Sequence, residues 1–510
     1  MSAVWWRIFV IKNIILRNLC VENAEEEKYE LSVFAMLEKS PIMGAVRSLA
    51  GTLSEAGHNI TIITPLPKTP KYPRFKEVFT HHEYGGYNLY DITNPTEVWE
   101  TLGDLFVDIT HGMYNNKDIL DIWENRNSFD AIIGLNLFNE PIAPFLHDYK
   151  GIYIGFGSEG AEFYQVAYMG HWLSPAVEPS MSLPYTKSMS FWQRVRNLAS
   201  LVKMWQNQKT MNRKIQAAVD KYFPDIGKVE DYTTNTDLMI FNSYWAMDGI
   251  TPLLPSQIEV GCLGCIEAKE LPENLKEFID QSGEHGVIYF AIGSATKSAD
   301  MPLNAKLSFV EAFRQLPQHV IWKYEGDDLD DLLPDNVLLQ TWLPQQDILG
   351  SSLTRVFISH CGQHSLQEAS YHSVPVLCLP IAYDQHRNAG RLEAMGQGLQ
   401  LSWDDVTTDK VQEALKILLS DNKYKDRSLE ISRLLKDQKE PPLERALWWI
   451  EFAIRHKGVP QLKFTGYNLS LIQYLLLDVI FAGILVLMLM FTLVYVIYCM
   501  CTRVRKQKRD

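Results

Sequence analysis

An uncharged apolar run near the carboxyl terminus constrains this chain more than any other feature. Residues 479–499 read VIFAGILVLMLMFTLVYVIYC, 21 residues without a charged side chain. A helix rises about 1.5 Å per residue, so this run can cross a hydrocarbon core about 30 Å thick. A buried helix of that length in a globular domain normally carries a polar stripe, and this run has none. The sequence therefore predicts a transmembrane helix over residues 479–499.

The tail that follows the predicted span indicates its orientation. Residues 500–510 carry five Lys and Arg side chains, and such enrichment beside a span marks the cytosolic side. The body would then lie in the lumen, as in a single-pass type I protein. Lys506 and Lys508 also resemble a dilysine-type signal for retrieval to the endoplasmic reticulum, although a simple stop-transfer cluster explains the same charges. We therefore expect an endoplasmic reticulum membrane protein with a cytosolic tail.

Residues 1–30 fit this topology less simply. A type I protein needs a signal with an apolar core of about 7–15 residues. Here the apolar N-terminal stretch is interrupted by Arg7, Lys12 and Arg17. The segment is a poor signal, an amphipathic helix or a misassigned start. Without any signal the protein would be tail-anchored, with its body in the cytosol.

Charge and cysteine content exclude two classes of protein. The formal net charge is -13, and the chain before Thr502 holds 43 basic and 60 acidic residues, a net charge of -17. Such a body lacks the basic surface that nucleic-acid binding requires. Seven cysteines are too few for a disulfide scaffold. Cys262 and Cys265 have the spacing of a redox pair or of half a zinc site, but no second CxxC or His pair follows at ligand spacing. We predict no metal site and interpret this pair as small loop residues.

Two series of short apolar strands alternate with helical segments along the body. The first series begins at residues 31–36, and the second begins at residues 286–293. Strands that alternate with helices predict parallel α/β sheets, and two such sheets place a ligand cleft at the carboxyl ends of their strands. Proline and glycine punctuate the stretch between the series. The predicted divisions are residues 31–251 for the first domain, 252–285 for a linker, 286–440 for the second domain, and 441–470 for a helix returning to the first domain plus a juxtamembrane segment.

The densest polar chemistry lies at residues 355–369, RVFISHCGQHSLQEA. The pattern predicts a strand ending near Ile358, a turn through Gly362 and a helix starting near Gln363. Free N–H groups and the dipole at a helix start bind anions. His364 and Glu368 lie four residues apart, on one helix face. The segment therefore predicts a nucleotide site, with phosphate at the turn and ribose near Glu368.

The flanking segments narrow this prediction. WLPQQDIL precedes the turn from Trp342, and PVLCLPIAYDQ follows it, ending at Gln385. The run over residues 342–385 resembles the signature of family 1 UDP-glycosyltransferases, including animal UDP-glucuronosyltransferases and insect UDP-glucosyltransferases. The resemblance extends to residues 289–294 and 448–458, the span and the basic tail. It implies an α/β fold of two Rossmann-like domains facing a cleft (GT-B type) plus one C-terminal transmembrane helix. It also implies inverting transfer of a hexose from a UDP-sugar to a small lipophilic acceptor.

The resemblance also implies roles for ten residues, which we call the donor-site residues. Trp342 would stack on uracil and Gln345 would bond its edge. The diphosphate would be held at the turn, the ribose hydroxyls by Glu368, and the sugar hydroxyls by Asp384 and Gln385. The residues expected at the diphosphate are Ser294, His360, Gly362 and Ser365, with His364 beside them on the helix. No cofactor or metal is expected, because helix N–H groups and His360 would stabilise the departing UDP, a co-substrate.

The two catalytic positions depart from the family pattern. In the family a His takes the proton of the acceptor hydroxyl, and an Asp or Glu orients that His. Counting back from His58 places Ile42, or Pro41 with a one-residue shift, at the His position. The carboxylate position falls on Leu135, beside Asn136. The catalytic residues are therefore unknown from the sequence.

Three functions fit this combination. The first is an active UDP-hexose transferase whose base is supplied differently, by His81 or His82, or whose acceptor is an amine or acidic phenol that needs little help. The second is a non-catalytic UDP-sugar-binding membrane protein with a regulatory or escort role. The third, a UDP-sugar-independent lipid or odorant carrier, is disfavoured by the intact donor-site residues. We predict the first; acceptor, sugar and oligomeric state are not specified.

Overall fold

The computed structural model describes residues 28–34, 41–65, 72–80, 90, 95–136, 139–294 and 296–507. Its strands are β1 Glu30–Phe34, β2 Asn59–Thr64, β3 Phe75–Phe79, β4 Ala131–Leu135, β5 Ile152–Gly157, β6 Leu238–Phe241, β7 Gln257–Glu259, β8 Val287–Ala291, β9 His319–Lys323, β10 Val337–Gln340, β11 Thr354–Ser359, β12 Val376–Cys378 and β13 Gly398–Gln400. Residues 1–27 of the N-terminal segment, and His81 and His82, lie outside the described residues.

Helices cover both faces of the sheets. They are α1 Pro41–Glu55, α2 Pro95–Tyr114, α3 Lys117–Glu124, α4 Ala143–Leu146, α5 Phe163–Ala167, α6 Phe191–Val219, α7 Val229–Thr233, α8 Trp245–Asp248, α9 Glu273–Asp280, α10 Leu303–Arg314, α11 Gln345–Leu349, α12 Gln363–Tyr371, α13 Gln385–Ala394, α14 Thr408–Ser420, α15 Asn422–Lys436, α16 Pro442–Arg455, α17 Leu471–Tyr474 and α18 Leu477–Gln507.

The strands form two parallel sheets, which confirms the predicted pair of Rossmann-like domains. The first sheet has the order β3-β2-β1-β4-β5-β6-β7 and the second β10-β9-β8-β11-β12-β13. Every residue of β4 and β8 is buried, as expected of strands that helices cover on both faces. The strand order reverses between β1 and β4 in the first sheet and between β8 and β11 in the second. Ligands of such sheets bind at the carboxyl ends of the strands beside this reversal.

The chain leaves the first sheet and later returns to it. Strand β7 pairs with β6, so the last strand of the first sheet lies inside the stretch expected as a linker. Helix α9 packs into the core of the second domain. The segment that connects the two domains is therefore shorter than the predicted linker, residues 252–285. In α16, Ala446, Ile450 and Ala453 are fully buried in the core of the first sheet, and their spacing of four and three residues forms one helix face.

The C-terminal helix matches the predicted apolar span. Residues Leu477–Thr502 of α18 have a mean hydropathy of 2.8, and none of the most apolar window is buried in the body. The helix is therefore long and apolar enough to cross a membrane. It continues past residue 499 into the basic tail, to Gln507.

Cysteine pairing differs from the sequence interpretation. Cys262 is bonded to Cys265, and Cys361 to Cys378. The first pair does lie in a loop, as expected, but the two residues are bonded to each other, which the sequence interpretation missed. A turn closed by the Cys265 N–H and the Cys262 carbonyl, at 3.2 Å, brings them together. Cys499 and Cys501, in α18, are free among the described cysteines.

Candidate active site

The anion-binding turn forms where the sequence places it. Strand β11 ends at Ser359, Gly362 is the N-cap of α12, and the helix begins at Gln363. Cys361 adopts a left-handed conformation, with φ of 64°, and its N–H donates to the Ser359 hydroxyl at 3.1 Å. The disulfide to Cys378 ties this turn to the end of β12. The turn is thus fixed from two sides, with the start of α12 available to an anion.

Two glycines make room for the His360 ring. A Cβ on Gly293, where φ is 87°, would lie 2.7 Å from Cε1 of His360, and one on Gly362 would lie 2.6 Å from its Nε2. Burial of the ring, and secondly the charge of Lys323, lower the pKa of His360 to about 4. The imidazole is therefore neutral at physiological pH. It can donate one hydrogen bond to a phosphate oxygen but brings no positive charge.

Gln345 contacts two other donor-site residues, Glu368 and Ser365, and also Tyr289. Its Nε2 lies 2.5 Å from Oε2 of Glu368 and 3.5 Å from Oγ of Ser365, and its Oε1 accepts from the Tyr289 hydroxyl at 3.2 Å. Burial raises the pKa of Glu368 to about 7, and the hydrogen bond from Gln345 opposes this rise. The carboxylate is thus held in place while part of its hydrogen-bonding capacity remains for hydroxyl groups.

Trp342 is an exposed aromatic side chain beside this cluster. It lies in the loop before α11 with 75% of its surface accessible. Its ring face is therefore open to stacking by a planar ligand that binds beside Gln345. His364, by contrast, is buried in the first turn of α12. Its pKa is lowered to about 4 by burial, and within the described chain its Nε2 has no hydrogen-bond partner.

The two residues expected at the sugar hydroxyls lie at the start of α13. Asp384 is the N-cap residue, and Asn388 donates to it at 2.5 Å and to the Cys361 carbonyl at 3.1 Å. Gln385 accepts from the backbone N–H groups of residues 381 and 382 at 2.7 and 3.0 Å, so its oxygen shapes the loop. Burial raises the pKa of Asp384, and the charge of Arg387 opposes the rise. Asn388 thereby links Asp384 to the turn at residues 359–363.

The structure describes the side chain at one of the two family catalytic positions, the carboxylate position, but not at the histidine position. Leu135 is 4% exposed, at the end of β4 in the core of the first sheet. Asn136 is also buried, and its backbone carbonyl accepts from Gln165 at 2.7 Å. Ile42 lies in the first turn of α1, but its side chain lies outside what the structure describes. The carboxylate position is therefore a packed apolar site.

Several charged residues at the cleft were missed by the sequence prediction. Arg387 Nη2 lies 2.5 Å from Oε1 of Glu162, and Arg391 Nη1 lies 2.7 Å from Oδ1 of Asp248. Both pairs join α13 to the first domain. No local pattern signals contacts between residues more than 140 positions apart. Glu162 could have been suspected only from its place after the end of β5, because polar residues at strand ends line such clefts.

Comparison with known proteins agrees with this geometry. The family model described as UDP-glucuronosyl and UDP-glucosyl transferase matches residues 91–510. A UDP-glycosyltransferase of Dactylopius coccus, UGT5, is 30% identical over 485 residues, which cover 91% of this chain and 90% of the relative. Human UDP-glucuronosyltransferase 1A9 is 30% identical over 389 residues, covering 74% of this chain and 70% of the relative.

Solved structures share the fold at low sequence identity. A UDP-glucosyltransferase from Polygonum tinctorium that glucosylates indoxyl, in complex with 3,4-dichloroaniline, matches with a TM-score of 0.56 and 17% identity, covering 85% of this chain and all of that one. The calicheamicin glycosyltransferase CalG4 matches with a TM-score of 0.53 and 16% identity, covering 85% of this chain and all of that one. The two-domain architecture is thus that of GT-B glycosyltransferases.

Proposed function

The chain belongs to the UDP-glucuronosyl and UDP-glucosyl transferase family, and we propose that it transfers a hexose from a UDP-sugar to a small lipophilic acceptor with inversion. The observation that carries this proposal is the connected set of contacts through Gln345 and Asn388. The first links Ser365 to Glu368, and the second links the phosphate turn to Asp384. A donor needs all of these groups held at once, because precise positioning supplies much of the rate.

Each donor-site residue then has a physical task. Trp342 offers a ring face to uracil, and the ionised form of Glu368 accepts ribose hydroxyls. The start of α12 and the neutral His360 donate to the diphosphate, and these donors stabilise the charge that develops on departing UDP. Asp384, Gln385, Ser294, Ser365 and His364 complete the contacts to the sugar and phosphates. This assignment calls for no metal ion or cofactor, because N–H groups and the helix dipole stabilise the negative charge on departing UDP.

A second candidate function is a non-catalytic UDP-sugar-binding protein. The observation in its favour is Leu135, which is buried among apolar side chains where the family has a carboxylate. Such a protein would bind donor as tightly as an enzyme but would transfer no sugar. Donor binding is therefore tested separately from transfer.

Trp342→Ala should weaken binding of UDP-glucose by about 1–3 kcal/mol, the usual value of one base–aromatic stacking contact. Titration calorimetry on the full chain in nanodiscs measures this. Trp192→Ala is the matched control, because Trp192 is 70% exposed but lies on α6, outside the donor-site residues, so its loss should leave the affinity unchanged. Failure of the folded wild-type chain to bind any UDP-sugar would remove the donor-site assignment.

We place the body in the lumen of the endoplasmic reticulum and the tail in the cytosol. Both disulfides lie in the body, whereas the free cysteines Cys499 and Cys501 lie at the tail end of α18. Structural disulfides persist in oxidising compartments such as the lumen. Protease added to sealed microsomes should leave the body intact and remove only the tail. Digestion of the body in intact vesicles would show that the body is cytosolic.

A further inference from the structure

A charged pocket lies between the two domains, next to the sugar end of the donor site. Its volume is about 230 Å³. The first domain contributes four carboxylates to its wall, and the second contributes Arg387 and Arg391 of α13, the helix that Asp384 caps. The four carboxylates are Glu159, Glu178, Asp248 and Glu259. Arg387 in the pocket wall follows Asp384 by three residues on α13, so we expect an acceptor to approach the sugar through this region.

Three of the four carboxylates already have partners. Glu178 pairs with Lys187 at 3.0 Å, Asp248 with Arg391 at 2.7 Å, and Glu259 accepts from the Ser243 hydroxyl at 2.9 Å. Glu159 differs from them. Its Oε2 is buried and has no hydrogen-bond partner among the residues that the structure describes. Glu159 thus lines the pocket with a carboxyl group whose hydrogen-bonding capacity is not filled.

Glu159 follows strand β5, which pairs with the strand that ends at the family's carboxylate position. In the parallel pairing of β4 and β5, Leu135 lies opposite Phe156, and Glu159 follows Phe156 by three residues. The next residue, Gly160, has a positive φ of 96°, so the chain changes direction directly after Glu159. Glu159 therefore leaves the strand adjacent to the one that ends in the family's carboxylate position, at the same edge of the sheet.

The surroundings of Glu159 suit a base that works near neutral pH. Burial of the carboxyl, then the negative charge of Asp384 on α13 and that of Glu162 at the start of α5, raise its pKa to about 7, and the neighbouring Ser158 hydroxyl opposes this rise. Arg387 also faces the pocket, but it pairs with Glu162. General bases are most effective when their pKa lies near the working pH. At neutral pH a substantial fraction of Glu159 is ionised, and that form is basic enough to take a proton in the transition state.

We propose that Glu159 is the general base of this chain, in place of the missing histidine; this rests on the proposed transfer function. As the acceptor oxygen forms its bond to the anomeric carbon, its proton moves to the Glu159 carboxylate. The bond from that carbon to the UDP phosphate oxygen breaks, and UDP leaves with the electron pair. Glu159 then returns the proton to water. The sequence prediction missed this residue because it matches no family motif.

Glu159→Gln keeps the shape of the side chain and removes its basicity. In the full chain in nanodiscs, kcat for transfer from UDP-glucose to an alcohol should fall about 10²–10⁴-fold, while the Kd for UDP-glucose stays unchanged. The wild-type rate should rise with pH through about 7, because the ionised carboxylate is the active form, and the variant should lose this rise. Transfer to an aromatic amine should fall less, because an amine needs less help from a base.

Two further variants separate catalysis from structure. Glu311→Gln makes the same charge change at an exposed position on α10, outside the pocket and the donor-site residues, and should leave kcat and the pH profile unaltered. Glu159→Asp keeps a carboxyl group and should retain more activity than Glu159→Gln, even if both variants are less stable. Equal losses in the Gln and Asp variants, or a Gln variant with wild-type kcat and pH profile, would overturn the assignment while leaving the transferase function in place. Wild-type chain that binds UDP-glucose without transfer would overturn the base assignment and leave the donor site standing. Absence of binding would instead overturn the proposed function.

Discussion

Replacing Arg387 by methionine should reduce the free energy of unfolding by about 3–5 kcal/mol. Arg387 and Glu162 are 6% and 1% exposed, and their ion pair measures 2.5 Å between Nη2 and Oε1. Removing the guanidinium leaves a buried carboxylate without its cation, and such a group costs far more than an exposed one. Urea unfolding of the full chain in nanodiscs, followed by tryptophan fluorescence, measures the loss.

Two variants check the cause of this loss. The double variant Glu162→Gln with Arg387→Met should recover most of the stability, because neither charge is then buried alone. Arg314→Met breaks an exposed pair, 3.3 Å from Glu311, and should cost less than about 1 kcal/mol. An Arg387→Met loss no larger than that of Arg314→Met would contradict a buried pair between the domains.

Leu135→Asp should destabilise the chain by at least about 3 kcal/mol, because it removes buried apolar contacts and places a carboxylate among them. Leu135 is 4% exposed, in the core of the first sheet. Adding Ile42→His should recover part of this loss, since an imidazolium and a carboxylate stabilise each other as in the family's dyad. In a Glu159→Gln background the added pair should raise alcohol transfer by about 10²-fold or more. Denaturation and initial rates on the same preparations measure both effects.

Leu135→Asn is the matched control for this pair of substitutions. Asn resembles Asp in size but cannot carry the charge that balances an imidazolium. Ile42→His should therefore recover neither stability nor rate in the Leu135→Asn chain. Equal recovery with Asn and Asp would show that positions 42 and 135 do not act together in this protein.

The repeated local patterns made most of the fold predictable. Strands such as β4 and β8 are buried on both faces and therefore appear in the sequence as continuous apolar runs. The two sheets were predicted from these runs. The three-residue strands β7 and β13 are too short to produce such a run. The turn at residues 359–363 was predicted to within a residue, because a glycine between a strand and a polar helix start leaves little alternative.

The chemistry between the domains could not be predicted in the same way. Arg387, Glu162 and Glu159 matter through contacts across the cleft, and these depend on how two separately folded sheets face each other. The pKa of Glu159 depends on Asp384, more than 200 positions away. A single sequence contains neither distance nor burial, so the catalytic residues stayed unknown from the sequence, whereas the structure shows that Glu159 lines the pocket between the domains.

Single-turnover transfer tests the central claim most directly. Full-length wild-type chain in nanodiscs would be mixed with UDP-glucose, UDP-glucuronate or UDP-galactose, alone and with an acceptor panel of alcohols, phenols and aromatic amines. We expect at least one pair to release UDP in equal amount to glycosylated acceptor, with NMR showing the anomeric configuration opposite to that of the donor. Tight binding of a UDP-sugar with no product from any acceptor would contradict the transferase function and favour a non-catalytic UDP-sugar-binding protein.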